Sequence, residues 1–302
     1  MKGKLFYKLH SSLIKLSKVL KNKIKLGDTI YLECKYMPIC CLNLKNEIKY
    51  GFLMNWKEKY DNYVNRFELS KTGLQNIKNE KPSNIIKKFL DVFLRTIGKK
   101  GILITPSFSY SWGKDKKKKI FDTQNTRSTS GVFSEYLRKK KVLRTNDPMF
   151  SCLILGNQKK FKFINSNNSF GKKSIYSFLH EKNAHLINFG LNKFDPTFVH
   201  YVEQFFHENY SKLNYRKIFK LYGSYNLKKY KSLHYSFLRV PKQNYTYDDK
   251  KILKKLLKQR YLYSGKILHQ KIYICRSKNF FESGIEGLKK NNKFFIKKEN
   301  HE

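Results

Sequence analysis

A carboxylate, a proline and a hydroxyl stand directly before an apolar run near the middle of the chain. They belong to the segment Arg144-Thr145-Asn146-Asp147-Pro148-Met149-Phe150-Ser151, and the run Cys152-Leu153-Ile154-Leu155-Gly156 that follows predicts a buried strand. Loops at the ends of buried strands are where open α/β folds carry binding and catalytic residues. Asp147 could act as a base or hold a substrate ammonium; alternatively, it is an ordinary turn residue before the strand.

A second pair of residues that could do chemistry is His200 and Glu203, three apart on a predicted helix. Side chains at this spacing are neighbours on a helix surface. A carboxylate beside an imidazole fixes its tautomer and raises its basicity, as a general base requires. The alternative is a polar rim on a half-buried helix. Four other histidines have no convincing partner in the sequence and are interpreted as structural: His180, His185, His207 and His234.

Two further loops offer groups for a cofactor or an anion. Arg127, in Thr126-Arg127-Ser128-Thr129, could hold a phosphate or a carboxylate, although most surface arginines hold neither. Ser107 and Ser109 follow a predicted strand and could line a cofactor channel or simply cap a turn. The sequence has no dinucleotide-binding glycine motif, phosphate-binding loop, nucleophile elbow or zinc-ligand cluster. A dehydrogenase or a nucleotide hydrolase is therefore not supported, and we expect no metal.

The elements that must position these residues alternate between helices and buried strands, which favours an α/β fold. Strands are predicted at 29–32, 101–105, 152–155, 186–189 and 267–275, with alternating runs near 219–225 and 233–240. Helices are predicted to begin at Ser11 or Ser12, Ser83, Ser130, Lys173, Asp195, Asp248 and Asn279. Residues 43–81 are weakly periodic. If the sheet is mainly parallel, the loops after Thr105 and Phe189 meet at one edge, whereas the loop before Cys152 cannot be placed.

The composition is dominated by lysine. The chain has 302 residues and a formal net charge of +42, yet only 9 of its 64 basic residues are arginine. Arginine is the preferred residue for bidentate phosphate recognition, and the lysines are scattered over nearly every segment. Lys, Asn, Ile, Tyr and Phe all have A/T-rich codons, so a biased genome is sufficient to explain the charge. The alternative, a polyanion-binding role, stays open but is not favoured.

The five cysteines form no metal-ligand or Cys-x-x-Cys spacing, which suits a reducing cytoplasm. The adjacent Cys40 and Cys41 are interpreted as buried thiols. Lysines interrupt the first 25 residues and no long apolar segment is present, so we expect neither a signal peptide nor a membrane span. Without an internal repeat or a long linker, residues 1–302 are expected to form one domain. The aromatic-rich portion from about residue 208 would pack onto it.

Taken in order, seven short motifs resemble those of the aminoglycoside 3-N-acetyltransferase family, over about residues 10 to 290. They are Gly27-Asp28-Thr29, Pro106-Ser107-Phe108, Phe121-Asp122, Arg127-Ser128-Thr129-Ser130-Gly131, Asp147-Pro148-Met149-Phe150-Ser151, Phe170-Gly171 and Thr197-Phe198-Val199-His200-Tyr201-Val202-Glu203. The resemblance implies a three-layer α/β fold with a mixed central sheet flanked by helices. It also implies acetyl-CoA as co-substrate and an amino-sugar or aminoglycoside acceptor.

Some positions depart from the pattern of the drug-modifying members. Those members have two histidines where this chain has Asp147 and Phe150. The Asp-Pro-x-Phe-Ser form, together with the segment Phe280-Phe281-Glu282-Ser283-Gly284, is similar to the branch found with surface-polysaccharide genes. An amino-sugar acceptor is therefore preferred to an antibiotic. The family's His-Ser-Ser segment is Glu33-Cys34-Lys35 here, which places the usual pantetheine contacts in question.

The resemblance also implies residue roles. His200 would be the general base, Glu203 would orient it, and Asp147 would hold or deprotonate the acceptor ammonium. Ser151, with backbone amides near Ser107, would stabilise the oxyanion. The remaining expected site residues are Phe150 at the acceptor and, for cofactor binding, Ser107, Phe108, Arg127, Ser128 and Thr129. A catalytically degenerate family member or a polyanion-binding protein are the alternatives, and a homo-oligomer stays open.

Overall fold

The computed structural model of the chain describes residues 2–34, 82–113, 120–157, 161, 166–191, 193–225, 232–241, 243–267 and 270–298. The helices in these ranges are α1 (Lys2–Lys23), α2 (Pro82–Ile97), α3 (Val132–Lys139), α4 (Ile175–Glu181), α5 (Val199–Asn209), α6 (Lys250–Lys258) and α7 (Ser277–Lys290). The strands are β1 (Thr29–Cys34), β2 (Ile102–Pro106), β3 (Ile120–Phe121), β4 (Leu143–Arg144), β5 (Cys152–Gly156), β6 (His185–Phe189), β7 (Arg216–Tyr225), β8 (Ser232–Arg239), β9 (Tyr245–Tyr247), β10 (Leu262–Ile267), β11 (Gln270–Arg276) and β12 (Ile296–Lys298).

The central sheet has seven strands in the order β10-β11-β6-β1-β2-β5-β4. Its middle strand β1 pairs in parallel with β2 on one side and with β6 on the other. The outer strands are antiparallel to their neighbours, so the sheet is mixed, as the family resemblance implies. A three-stranded sheet (β3-β7-β8) and a two-stranded sheet (β12-β9) lie beside it.

Both faces of the central sheet are buried, because successive strand residues point to opposite sides and both sets are apolar. One face packs on α1, α2 and α3 through a core that includes Leu20, Phe89, Phe133 and the strand residue Leu32. The other face packs on α4 to α7, and its core contains Tyr31 from the same strand. Helices on both faces of one sheet give the three-layer α/β architecture that was predicted.

The first two helices begin earlier than predicted. The predicted N-caps Ser11 and Ser12 lie inside α1, which starts at Lys2. This prediction was wrong because lysine and leucine are good helix formers and continue the helix towards the amino terminus. Ser83 lies in the first turn of α2, which starts at Pro82, since proline is favoured at the first helical position. The other predicted helices agree within about two residues, except α5.

Helix α5 begins later than predicted. The pair Asp195-Pro196 was expected to form its N-cap and first residue, but the helix starts at Val199. Phe198 occupies the N-cap position and supplies no side-chain hydrogen bond. Instead, the amide of Thr197 donates to Glu33, which lies at the end of β1. A carboxylate from a distant strand therefore replaces the local cap, which no reading of the local sequence could show.

The predicted strand over 267–275 is two strands. β10 and β11 form an antiparallel hairpin that joins the central sheet next to β6. The first strand was missed because only its two end residues are buried and it contains Gly265, so it shows no apolar run. No helix in the described ranges is both long and apolar enough to cross a membrane. Cys40, Cys41 and segment 43–81 lie outside the described residues; Cys34, Cys152 and Cys275 are free thiols.

Candidate active site

Three loops with predicted site residues meet at one edge of the central sheet. Strands β1, β2 and β6 are parallel, so their carboxyl ends lie together. Strand β5 is antiparallel to β2 and pairs Cys152 with Pro106, so β5 begins where β2 ends. The segment around Asp147, which the sequence alone could not place, therefore lies beside the loop after β2. We call this side of the sheet the carboxyl edge.

His200 and Glu203 are in contact on α5, as their spacing predicts. The Nδ1 atom of His200 lies 3.0 Å from Oε2 of Glu203. The carboxylate has two more partners: Tyr215 donates its hydroxyl to Oε1 at 3.1 Å, and Nε of Arg216 lies 2.8 Å from Oε2. The Glu203 side chain is 1% exposed and that of His200 21%, so the imidazole is the member of the pair that solvent can reach.

The protonation states of this pair follow from burial and from Arg216. Burial lowers the pKa of His200 to about 4, and the nearby Arg216 acts in the same direction against the attraction of Glu203. Burial alone would raise the pKa of Glu203, but Arg216 and His200 hold that pKa below its ordinary value. At neutral pH the imidazole is therefore neutral and the carboxylate is charged. With the Nδ1 proton on the side of Glu203, the Nε2 lone pair is left to accept a proton.

Four aromatic side chains extend from His200 and form what we call the aromatic wall: Phe108, Tyr110, Phe150 and Phe170. The ring of Phe170 lies 5.4 Å from the imidazole and that of Phe150 6.4 Å. Phe150 in turn contacts Phe108 at 5.2 Å and Tyr110 at 5.7 Å. Tyr110 is 52% exposed and has a φ of 49°, a conformation unusual for a bulky residue. The wall thus reaches from the half-buried imidazole to the exposed ring of Tyr110.

Asp147 is buried and orders the turn that carries Phe150. Its Oδ1 atom accepts from the backbone amides of Met149 and Phe150, both at 2.8 Å, and lies 3.4 Å from Nε2 of His234. Burial alone would raise the pKa of Asp147, but His234 and the two amides lower it. The carboxylate is therefore charged and occupied at one oxygen. The carboxylate binds the backbone amide of Phe150, and the ring of the same residue lies beside His200.

Ser151 lies in a second buried network around Arg144. The Ser151 hydroxyl donates to the carbonyl of Ser107 at 2.7 Å and accepts from Nε of Arg144 at 3.0 Å. The same guanidinium also donates to the carbonyls of Ser107 and Thr126. Burial lowers the pKa of Arg144 to about 10, which leaves it charged. Arg144 thus joins three loops at the carboxyl edge.

The residues predicted to bind the cofactor lie on two paired loops. The carbonyl of Phe108 accepts from the amide and the hydroxyl of Thr129, at 2.7 and 2.9 Å. The amide of Phe108 donates to the hydroxyl of Ser130 at 2.7 Å. Ser128 is buried beside them, whereas Arg127 and Thr129 are exposed. The structure therefore brings together Ser107, Phe108, Arg127, Ser128 and Thr129 next to the aromatic wall.

The backbone amides near Ser107 are already engaged. The amide of Ser107 donates to the carbonyl of Ser151 at 2.7 Å, and the amide of Phe108 donates to Ser130. Both were expected to stabilise an oxyanion. The hydroxyl of Ser107, by contrast, is buried and has no hydrogen-bond partner among the described residues. A buried hydroxyl without a partner is costly, so this atom is a candidate for contact with a bound molecule.

Several site residues were missed from the sequence. Arg216 and Tyr215 come from the start of β7 and its preceding loop, and they contact Glu203 only in the folded chain. Arg144 begins the segment that contains Asp147 and is one of few arginines, but no role was predicted for it. Glu33, noted only as a departure from the family pattern, accepts from Thr197 at the start of α5.

The four histidines for which the sequence offered no partner all have one. His234 lies 2.9 Å from the hydroxyl of Ser169 and contacts Asp147, so the absence of a partner was a wrong interpretation. The other three contacts are His180 with the hydroxyl of Tyr201, His185 with the carboxylate of Asp28, and His207 with the amide of Leu213. These three contacts do not include His200 or Glu203.

Comparisons with known proteins identify the family. The model of the aminoglycoside 3-N-acetyltransferase family matches residues 70–289, well over half of the chain. The chain therefore belongs to the aminoglycoside 3-N-acetyltransferase family. A search of curated protein sequences finds no significant match.

Solved structures with the same fold include several acetyltransferases. Aminoglycoside acetyltransferase AAC(3)-Xa has a TM-score of 0.63 at 11% identity, over 96% of this chain and 97% of that chain. The YokD protein from Bacillus subtilis has a TM-score of 0.61 at 12% identity, over 93% and 99%. AAC-IIIb, in a binary complex with CoASH, has a TM-score of 0.61 at 13% identity, over 91% and 96%. At these identities the similarity establishes the three-layer fold.

Proposed function

We propose that this protein is an N-acetyltransferase that moves the acetyl group of acetyl-CoA directly to an amine of an amino-sugar or aminoglycoside-like acceptor. The observation that carries the proposal is the contact between His200 and Glu203 at the aromatic-lined carboxyl edge, in a chain of this family. Support for the donor comes from the neighbour bound to CoASH. Support for the acceptor class comes from neighbours bound to a gentamicin, to apramycin and to sisomicin.

The proposed reaction is a direct acyl transfer without a covalent enzyme intermediate. The bound acceptor ammonium first loses one proton to solvent. The free amine nitrogen then attacks the thioester carbon, so that an N–C bond forms and the C–S bond breaks. The nitrogen loses a proton to Nε2 of His200, and this proton then passes to the departing thiolate of CoA. Glu203 keeps the Nδ1 proton in place and stabilises the transient imidazolium, because its own charge is secured by Arg216.

The other predicted site residues take supporting roles in this proposal. Asp147 holds the acceptor ammonium through Oδ2, because Oδ1 is occupied by the turn. For the oxyanion, the unpartnered hydroxyl of Ser107 is a better donor than Ser151, whose hydroxyl already donates to a carbonyl. Arg127 is exposed on the adjoining loop and would meet a phosphate of CoA.

An amino sugar is the acceptor that the chain favours over an antibiotic. Aminoglycosides are polycations, and a protein of net charge +42 repels them. A nucleotide-linked amino sugar presents one amine and two phosphates, which suits this charge. The exposed ring of Tyr110 extends the aromatic wall and offers a flat apolar surface to the C–H face of a sugar. The cytoplasm, which supplies acetyl-CoA, is the proposed location.

The test is release of the CoA thiol from acetyl-CoA, measured with a panel of aminoglycosides and nucleotide-linked amino sugars. We expect thiol release with nucleotide-linked amino sugars and little with gentamicin or sisomicin. Activity on aminoglycosides alone would reject the amino-sugar acceptor but keep the acetyltransferase. Silence on every acceptor, combined with no binding of CoA by calorimetry, would reject the proposed function altogether.

A further inference from the structure

We propose that Glu33 is a positioning residue for His200, because its carboxylate holds the turn that leads into the helix that carries the imidazole. The inference rests on the proposed function, since it concerns the same base. Glu33 lies near the end of β1 and is 8% exposed. Its Oε1 atom accepts from the amide of Thr197 at 2.9 Å and from the hydroxyl of Tyr31 at 2.9 Å.

The turn that leads into α5 needs an acceptor from outside the turn. The amides of Val199 and His200 bond back to the carbonyls of Pro196 and Thr197, so these groups satisfy one another within a tight turn. The residue at the N-cap position supplies no side-chain acceptor. The amide of Thr197 is not bonded within this turn and donates to Glu33. A carboxylate at this place also complements the positive end of the helix dipole.

The position of the imidazole follows from this turn. His200 is the second residue of α5, and its amide is bonded to the carbonyl of Thr197. A shift of Thr197 away from Glu33 therefore moves the backbone of His200 as well. Glu203, one turn further on, is fixed separately by Arg216 and Tyr215. Loss of the Glu33 contact should thus displace the imidazole relative to a carboxylate that stays in place.

The strength of the contact depends on the charge of Glu33. Burial raises the pKa of Glu33 to about 7, and the nearby Asp195 acts in the same direction. Above this pH the group is a charged acceptor that complements the helix end; below it, the neutral acid is a weaker acceptor. The described titratable groups that interact with Glu33 are Tyr31, Cys34, Tyr110, Cys152, Tyr176, Asp195 and Tyr247.

Only one of these neighbours changes its charge near neutrality. The tyrosines and the thiols all have a raised pKa and stay neutral. Asp195 is the exception, because burial raises its pKa to about 6. The pH dependence described below is therefore also measured in proteins that carry Asp195→Asn, which removes the titration of Asp195.

The test compares Glu33→Gln with the wild type. Glutamine keeps the size and the acceptor oxygen for Thr197 and Tyr31, so the fold is retained without the charge. The turnover number kcat is measured with both substrates saturating between about pH 5.5 and about pH 9, and the variant is divided by the wild type at each pH. Titration of the acceptor amine affects both proteins equally and cancels in this ratio.

We expect the kcat of Glu33→Gln, divided by that of the wild type, to be near one at acid pH and to fall about fivefold towards alkaline pH. This size corresponds to the stabilisation that a charge gives at the end of a helix. The midpoint should lie near the pKa of Glu33, about 7. Glu208→Gln, which changes an exposed carboxylate on the same helix, should give a ratio near one throughout. A Glu33→Gln ratio that does not vary with pH would overturn the proposal, because a merely structural residue predicts a constant ratio.

A second measurement of the position of His200 does not depend on enzyme activity. The imidazole signals of His200 in NMR spectra, assigned by their loss in His200→Ala, should shift in the wild type with a midpoint near pH 7 and remain constant in Glu33→Gln. The pKa of His200 itself, about 4, lies outside this range. If the wild type releases no thiol with any acceptor and binds no CoA, the proposed function fails, but the NMR signals of His200 still test the positioning role of Glu33. Identical signals in both proteins would reject the positioning role.

Discussion

At His200, burial and hydrogen bonding act on basicity in opposite directions, and burial prevails. With its pKa lowered to about 4, the imidazole is neutral throughout the physiological range. Such a base does not remove a proton from a free ammonium, whose pKa is far higher. It accepts one readily once the nitrogen has attacked the thioester and become acidic. We therefore expect proton transfer to accompany or follow N–C bond formation.

Replacing His200 with Ala should lower kcat by roughly 10²- to 10⁴-fold, because the nitrogen then loses its proton acceptor. The affinity for acetyl-CoA should stay nearly unchanged, since the proposed phosphate contacts lie on other loops. Both quantities come from thiol-release kinetics and from calorimetric titration with CoA.

The matched control is His207→Ala, which removes an imidazole from the same helix at a position that contacts the amide of Leu213 rather than Glu203. This variant should keep kcat within a few-fold. Equal losses in the two variants would show that α5 tolerates neither change and would withdraw the base assignment from His200.

Sequence reasoning found the part of the site that is local in the chain. His200 and Glu203 are three residues apart, and a helical period is enough to bring them together. Arg216 contacts this helix, and Glu33 the turn before it, from strands of two different sheets. No spacing rule connects residue 33 with residue 197, so these partners could be found only in three dimensions.

Among the elements, the turn before β5 is fixed by a single side chain. Asp147 accepts two backbone amides and contacts His234, so Asp147→Ala leaves two buried donors without an acceptor. We expect the free energy of unfolding to fall by about 2 to 3 kcal/mol, measured by urea denaturation.

Asp147→Asn is the companion variant for this turn. It keeps a side-chain oxygen for the amides of Met149 and Phe150, and it should recover most of the lost stability. If Asp147→Asn and Asp147→Ala unfold at the same urea concentration, the two amide bonds contribute little and the turn is held by other contacts.

The predicted elements agree with the structure where apolar periodicity is strong, and they fail where an interaction comes from elsewhere. The buried strands β1, β2, β5 and β6 were found because both faces are apolar and the runs are continuous. The start of α5 was misplaced because its cap comes from β1 rather than from Asp195. Strand β10 was missed because only its two end residues are buried, so it has no apolar run.

For the molecule as a whole, we expect the net charge to affect the binding of substrates rather than the rate of acetyl transfer. A net charge of +42 attracts the phosphates of acetyl-CoA, and salt screens this attraction. Between about 50 mM and about 500 mM NaCl we expect the KM for acetyl-CoA to rise about three- to tenfold, while kcat stays constant because the charge of Glu203 is buried.

The control for this salt effect is a neutral acetyl donor, S-acetyl-N-acetylcysteamine, whose KM should hardly respond to salt. A KM for acetyl-CoA that is insensitive to salt would show that the lysines lie too far from the donor site to contribute. It would then support codon bias as the whole origin of the charge.

The order of strands in the central sheet also determines at which stage of folding the candidate active site can form. Strand β1 pairs with β6, which begins about 150 residues later, and the contact between Glu33 and Thr197 spans 164 positions. Contacts of such long sequence separation form late, because a long loop must close before they contribute. A nascent chain therefore has no working site until β7, which brings Arg216 to Glu203, has left the ribosome. Folding of this protein and the appearance of its activity should be one event.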